Sequence, residues 1–438
     1  MLPATIQSRP AMATKILMVA SGLVLVSMIT LLLTTPYVNA SPSAAWSKTY
    51  GGPLGDKAYA MVKTQDGGYA IVGTTNSFGS GIINAWLIKT NADGDLQWNQ
   101  TYSGLEQGIA DSLIQTNDGG YALAGYSYSM NESGINVWLV KTDSNGNISW
   151  NQTYPQLGTA IAYGLIQTSD GSYALVGATN SIGNGENDAW LAKVGSNGSF
   201  QWNQTYGGSQ NDAMYSVVQT SDGGYAMSGD TNSFGFGNQT GLWLVKTDSL
   251  GSVQWNQTYS ASSNYIAGSM VKAGDGGYAL IGTFQQSDDD FAIVKTDSSG
   301  NLQWNQTYNG LNVDDALSGI QTSDGGYAIV GVTNASNPAY AKAWLVKTDS
   351  TGTAQWNQTY GGSGQNVVGA IVQAGDGGYV LAGYTNSTGA GEEDFWLIKT
   401  DINGVVPEFP GLFMLPLLGV AGVLVAVLMR KKVAQKTK

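Results

Sequence analysis

No cysteine and no histidine occur among the 438 residues of this chain. The first absence excludes disulfides, thiolate metal centres and thiol nucleophiles, and it leaves the redox compartment unmarked. The second removes the most frequent general base and the commonest transition-metal ligand, so Ser-His-Asp triads and His-built zinc sites are excluded. Arginine is confined to Arg9 and Arg430. From Trp46 to Glu408 there are 12 Lys against 31 acidic residues, a net charge of −19. Phosphate binding needs clustered Lys and Arg, so no nucleic-acid partner is expected. Proline is scarce at 10 residues against 60 Gly, which predicts many tight turns between short strands.

A single string dominates what is present. W-N-Q-T-Y starts at Trp98, Trp150, Trp202, Trp255, Trp304 and Trp356, and an altered copy, W-S-K-T-Y, starts at Trp46. Successive Trp are 52, 52, 52, 53, 49 and 52 residues apart, a repeat architecture in which no unit buries its apolar surface alone. In each unit four short β-branched or aromatic runs are separated by Asp, Asn and Gly, the signal of an antiparallel meander. Seven such meanders predict an all-β seven-bladed propeller over residues 41–405, with W-N-Q-T-Y as the outermost strand of each blade. An open solenoid would need polar capping repeats at both ends, and none are present. The seventh repeat runs out at Asp401–Gly404 without its fourth strand, while a spare fourth strand, Ala45–Tyr50, stands at the start of the first. Trp46–Tyr50 is therefore expected to pair with the strand around Trp396 and close the ring.

The two ends differ from the repeats. Residues 1–40 carry Arg9 and Lys15, an apolar run from Ile16 to Leu33 and small residues up to Ala40, and read as a signal peptide or signal anchor. Residues 406–438 hold a second apolar run, Gly411–Met429, long enough for one membrane crossing, then the basic cluster Arg430, Lys431, Lys432. Basic residues on the far side of each run place the repeats outside the membrane.

Repeated residues read first as architecture. Ala60, Ser112, Gly164, Ser216, Ser269, Ser318 and Ala370 keep the innermost strand small at one position, where blades converge. The Asp of each D-G-G or D-G-S turn, from Asp66 to Asp376, orders its own turn. A second Trp recurs at Trp86, Trp138, Trp190, Trp243, Trp344 and Trp396, with Ala292 in the fifth repeat, and is expected to pack between blades rather than to hold sugars. The acids outside the repeat pattern are candidate binding residues on the face of longer loops: Glu186, Asp188, Asp314, Asp315, Glu392, Glu393, Asp394 and the run Asp288, Asp289, Asp290. That run, read as a loop, is where Ca²⁺ is considered, since a hard cation takes several oxygen ligands. No other cofactor is expected. In an exported protein the sequons at Asn99, Asn151, Asn203, Asn256, Asn305 and Asn357 are glycosylation candidates.

At Pro407, Glu408 and Phe409 a P-E-F motif precedes the apolar run and basic cluster, and this tripartite end resembles the PEF-CTERM sorting signal of archaeal surface proteins. The resemblance implies an archaeosortase-type processing enzyme as partner and a membrane helix exchanged for a lipid anchor. The repeats resemble the seven-bladed propeller repeats of bacterial and archaeal surface proteins. More distantly, D-x-x-G-x-x-x-W at Asp143–Trp150, Asp248–Trp255, Asp297–Trp304 and Asp349–Trp356 is similar to the docking motif of quinoprotein propellers, whose Trp packs on neighbouring backbone. Asn91 and Gly195 depart from that motif, and it implies blade packing, not a quinone. The expected function is a non-enzymatic, membrane-anchored cell-surface scaffold for envelope structure, adhesion or recognition of a glycan or surface protein. The alternative is an extracellular polysaccharide hydrolase using loop-face carboxylates.

Overall fold

The structure, a computed structural model, describes residues 45–103, 107–129, 134–235, 237, 239–259, 264–285 and 288–406. The apolar runs Ile16–Leu33 and Gly411–Met429 and the motif Pro407, Glu408, Phe409 lie outside these residues. Among the described residues no helix is long and apolar enough to cross a membrane.

Seven four-stranded antiparallel sheets are the blades of a β-propeller. Blade 1 runs Asp56–Lys63, Tyr69–Thr75, Asn84–Thr90 and Leu96–Tyr102 in strand order. The first strands of blades 2 to 7 are Gln107–Gln115, Ala160–Gln167, Asp212–Gln219, Tyr265–Lys272, Asp314–Gln321 and Asn366–Gln373. Second and third strands are buried on both faces, as in Tyr69–Thr75 and Asn84–Thr90, and so read as continuous apolar runs. The fourth strand of blade 7 is Trp46–Tyr50, which pairs antiparallel with Asp394–Lys399 in the register Ser47 to Ile398 and Thr49 to Trp396.

Seven apolar clusters fill the spaces between successive blades. One of them joins Ala58, Tyr69 and Trp86 of blade 1 to Val380, Phe395 and Leu397 of blade 7. The second Trp of each repeat sits in these clusters, with Trp138 and Trp190 fully buried. In blade 5, where Ala292 replaces it, the cluster around Ala292 is filled by Tyr265 and Phe284, whose ring centroids lie 4.7 Å apart.

W-N-Q-T-Y is the clamp that holds one blade to the next. Its Trp packs edge-on against the Tyr that opens the second strand of the following blade, seven times over, from Trp46 on Tyr69 to Trp356 on Tyr379, with centroids 5.8–6.5 Å apart. The same Trp covers the glycine of the D-x-x-G turn there: a Cβ on Gly352 would lie 2.6 Å from the Trp304 ring, at a φ of +82°. The motif's Tyr hydroxyl then donates to that glycine's carbonyl, as Tyr102 does to Gly146 at 2.7 Å and Tyr308 to Gly352 at 2.7 Å. Both aromatic residues thus grip one turn, and only glycine combines the left-handed backbone with room for the ring.

The D-G-G Asp does more than order its turn. Asp66 accepts from the Gly68 amide at 3.1 Å, as expected, and also pairs with Lys89 of the third strand at 2.8 Å. All seven blades repeat the pair at 2.6–2.9 Å, with Lys side chains only 4–13% exposed. A Lys inside a fully buried strand requires such a partner. The second glycine makes room for it, because a Cβ on Gly68 would lie 2.1 Å from the Thr90 carbonyl oxygen.

Candidate functional site

Seven-fold repetition fixes the frame, so a site must lie where the repeats differ. They differ at the axis. Each first strand carries a β-bulge, between Ala58 and Ala60 in blade 1 and at the matching place in every other blade. Bulges re-aim a side chain and interrupt the ladder. The bulged residues are Tyr59, Asp111, Tyr163, Tyr215, Gly268, Leu317 and Gly369. Blades 1 to 4 therefore present tyrosines and a carboxylate, whereas blades 5 to 7 present almost nothing polar.

Tyr163 and Tyr215 face each other across blades 3 and 4 with ring centroids 5.1 Å apart. Tyr215 shares a hydrogen bond with Asp230, whose carboxylate also accepts from the Ala267 amide at 2.6 Å. Burial drives the Asp230 carboxyl up to about 7 against the lowering effect of those two hydrogen bonds. Burial alone lifts Asp111 to about 7, and its charge is felt by Tyr59, Tyr126 and Tyr163. On the blade 7 side Lys57 pairs with Glu393 at 3.2 Å and lies 5.0 Å from the Tyr384 ring centroid.

Between blades 3 and 4 this polar ring opens into a loop-face cavity of about 500 Å³. Tyr163, Tyr215 and Asp230 line it together with Asn180, Asn187, Asn211 and Asn232. No Lys or Arg lines it. The arrangement offers aromatic faces, amide donors and acceptors, the Asp230 carboxyl poised near neutrality and the Asp212 carboxyl held by Thr231 and Ser233, a set suited to a neutral polyhydroxylated ligand.

The acids singled out in the sequence are placed differently. Glu186 and Glu392 are exposed on the loop face, and Glu186 accepts from Asn211 at 2.9 Å at the cavity rim. Asp188, Asp314 and Asp394 are 2%, 0% and 1% exposed. Each sits where a strand begins and accepts backbone amides, from Gly185 at 2.9 Å, Gly310 at 2.6 Å and Ala390 at 2.8 Å respectively. Asp315 is half-buried, its carboxyl raised by burial and then by Asp289 and Asp314. The expectation of a loop is corrected for Asp289 and Asp290, though not for Asp288, because Asp289–Thr296 is a strand and neighbours along a strand point to opposite faces. Among the described residues no group of three or more acidic side chains is placed to hold a metal. The sequons lie on the outermost strands; Asn99, Asn151, Asn256, Asn305 and Asn357 are exposed and Asn203 is half-buried. Four of these asparagines use Oδ1 to accept from the second Trp, as Asn151 does from Trp138 at 2.6 Å, which leaves Nδ2 toward solvent chemistry.

Asp111, Asp230 and the tyrosine ring were missed in the sequence. A signal was there: Asp230 interrupts an otherwise buried second strand, Y-A-M-S-G-D-T, and such an acid needs a reason.

No protein-family model matches the chain, and no curated protein matches its sequence. Among solved structures it is similar to the WD40 domain of Neurospora crassa Pan2, at 11% identity and a TM-score of 0.48 over 83% of this chain and 98% of that one. It is also similar to the β-propeller domain of the Trilobed protease from Pyrococcus furiosus, at 9% identity and a TM-score of 0.46 over 83% of this chain and 99% of that one. A protein of unknown function from Dyadobacter fermentans matches at 11% identity and a TM-score of 0.46 over 66% of this chain and 93% of that one. Likenesses this distant bear on neither activity nor partners, and the chain stands as a seven-bladed β-propeller on its own strand pairing.

Proposed function

We propose that this chain is a non-enzymatic recognition propeller of the archaeal cell surface, exported by its N-terminal segment, held at the membrane through its C-terminal segment, and binding a neutral glycan in the loop-face cavity between blades 3 and 4. The observation that carries the glycan reading is the asymmetric ring of bulged residues, in which Tyr163 and Tyr215, their rings packed at a tilt of 44°, border a cavity lined by four asparagines. The net charge of the repeats disfavours anionic polymers. The same reading makes Trp46–Tyr50 the latch of the ring, joining the two ends of the propeller so that the cavity sits on a rigid frame. The export, sorting and anchoring steps rest on the resemblance at Pro407, Glu408 and Phe409 and on the apolar runs.

On a glycan array the full chain is expected to retain a small set of neutral oligosaccharides. Tyr215→Ala is expected to weaken that binding by tenfold or more, because stacking on the sugar face is lost, while leaving the melting temperature within a few degrees. Retention of the same glycans by Tyr215→Ala and Tyr163→Ala would move the site elsewhere. A second reading, hydrolysis, is favoured by Asp111 and Asp230, both poised near neutrality as a general acid would be. Product release from a retained glycan, abolished in Asp230→Asn, would establish it over simple binding.

A further inference from the structure

A second feature departs from the seven-fold pattern on the loop face, at the junctions between blades. There the residue opening one blade's third strand meets the residue opening the next blade's first strand. At the junction of blades 6 and 7 both are nitrogen donors. Lys342 Nζ donates to the carbonyls of Gly361, at 2.9 Å, and Gly362. Asn366 Nδ2 donates to the carbonyls of Ala341, Gly362 and Gly364 at 3.0, 3.3 and 2.9 Å. At the junction of blades 1 and 2, Asn84 Nδ2 likewise donates to Phe78 and Gly81 carbonyls at 3.0 and 3.2 Å.

At the junction of blades 7 and 1 the same two positions are Asp394 and Asp56. The surrounding segments keep their spacing: Y-G-G-P-L-G-D at Tyr50–Asp56 corresponds to Y-G-G-S-G-Q-N at Tyr360–Asn366. The carbonyl positions that receive nitrogen donors between blades 6 and 7 become Glu393, Gly51, Gly52 and Leu54, now beside two carboxylates. Asp56 and Asp394 are 0% and 1% exposed. Each has one oxygen tied down, Asp56 Oδ2 by the Gly52 amide at 2.8 Å and Asp394 Oδ2 by the Ala390 amide at 2.8 Å. The other oxygen of each, Oδ1, is buried without a hydrogen-bond partner. The two side chains converge: Asp394 Oδ1 and Asp56 Oδ2 lie 1.8 and 2.9 Å from the point where a Cβ on Gly51 would sit.

The junction of blades 3 and 4 carries the same pair of residues, but there the protein already satisfies Asp212: Oδ1 accepts from Thr231 Oγ1, and Oδ2 accepts from the Gly208 amide at 2.9 Å and from Ser233 Oγ at 2.6 Å. Y-G-G-S-Q-N-D ends at Asp212, G-N-G-E-N-D ends at Asp188 as G-A-G-E-E-D ends at Asp394, and Asp188 Oδ1 and Asp212 Oδ2 each lie 2.6 Å from the Cβ point of Gly207. Between blades 5 and 6 the pair is Asp290 and Asp314, but there the Asn309 side chain hydrogen-bonds Asp290. At the junction of blades 7 and 1, two buried carboxylates, each with one oxygen on a backbone amide and the other unpartnered, and with no ammonium between them, leave about two negative charges to be neutralised.

We propose that the junction of blades 7 and 1 binds one calcium-class divalent cation, with Asp394 and Asp56 as the charged ligands and loop carbonyls completing an all-oxygen shell. Calcium accepts six to eight oxygens in flexible geometry, and two carboxylates match its charge. Between blades 6 and 7, Lys342 and Asn366 supply from the protein what the cation supplies elsewhere. The ion between blades 7 and 1 bridges the loop that follows the N-terminal strand to the last blade.

The natural pair also furnishes the test. The full chain, stripped with chelator and titrated calorimetrically with CaCl₂, is expected to take up one ion and to melt at a higher temperature with calcium than without. Asp394→Lys combined with Asp56→Asn, which transplants the pair found between blades 6 and 7, is expected to lose that uptake while melting, calcium-free, no lower than the unaltered chain. The gentler Asp56→Asn is expected to lower calcium affinity at least tenfold. Undiminished calcium uptake in the double variant overturns the site, as does an unaltered chain showing neither heat nor a melting shift in millimolar calcium.

Discussion

A chain lacking Trp46–Tyr50 is expected to lose at least about 4 kcal/mol of stability and to self-associate. Five residues pair with Asp394–Lys399, and their removal leaves the third strand of blade 7 as an open edge with unpaired amides and carbonyls. The losses extend beyond the ladder. Trp46 no longer packs on Tyr69 and Gly94, Tyr50 no longer donates to the Gly94 carbonyl, and Trp396 Nε1 loses its acceptor Ser47 Oγ at 2.7 Å. Denaturant titration combined with light scattering checks this. An unchanged midpoint with a monomeric species would show that blade 7 does not depend on the N-terminal strand.

Asp275→Ala is expected to cost about 2 kcal/mol, and Lys295→Met less than about 1 kcal/mol, at neutral pH. The asymmetry follows from burial. Lys295 is 4% exposed and Asp275 is 52% exposed, so removing the Asp strands an ammonium inside the blade, whereas removing the Lys leaves a carboxylate that water can reach. The value is reduced from that of a fully buried pair because Asp275 is solvated and Lys295 keeps the Thr296 carbonyl at 2.7 Å and Gln303 Oε1 at 2.9 Å. Acid acts on all seven pairs together. Burial raises the carboxyls of Asp66, Asp118 and Asp324, but hydrogen bonds from Lys, Thr and the turn amide outweigh it and bring each down to about 2. Because these folded-state values lie below the ordinary carboxylate value of about 4, the stability they contribute is fully present above about pH 4 and is lost as the pH falls toward 2. Chemical denaturation across that window should show a stability decline that is shallower in Asp66→Asn. Equal sensitivity to Asp275→Ala and Lys295→Met would refute the burial argument.

The blades were legible in the sequence because each strand is a short β-branched or aromatic run bounded by Asp, Asn and Gly. Y-A-M-S-G-D-T is read as the second strand of blade 4 and spans Tyr225–Thr231 in the structure. The relation of Trp46 to Trp396 was legible for a different reason: a permuted repeat leaves a missing strand at one end and a spare at the other. The Asp–Lys pairs were not read, although both members recur in every repeat, because two residues twenty or more positions apart are joined only by the register of the second and third strands. The bulged ring was hidden more deeply. Tyr59, Asp111, Tyr163 and Tyr215 become neighbours through a one-residue slip in each first strand, and alternation alone would assign them to a blade face. For Asp188 and Asp394 burial was not legible, because a strand start resembles a loop in composition. Their burial depends on the glycines of G-N-G-E-N-D and G-A-G-E-E-D and on the next blade's Y-G-G segment, which pack around them.

The account centres on a ring of clamped blades whose last member is completed by the first strand of the domain. A chain without cysteine allows this to be measured directly. Ser47 and Ile398 are cross-strand partners, and antiparallel partners have Cα separations of about 4.5–5.5 Å, within disulfide range. In a chain carrying Ser47→Cys and Ile398→Cys, mild oxidation followed by intact-mass analysis of the monomer should reveal one intramolecular disulfide and no free thiol, with a raised melting temperature. Two free thiols in a folded, oxidant-treated monomer would contradict the pairing.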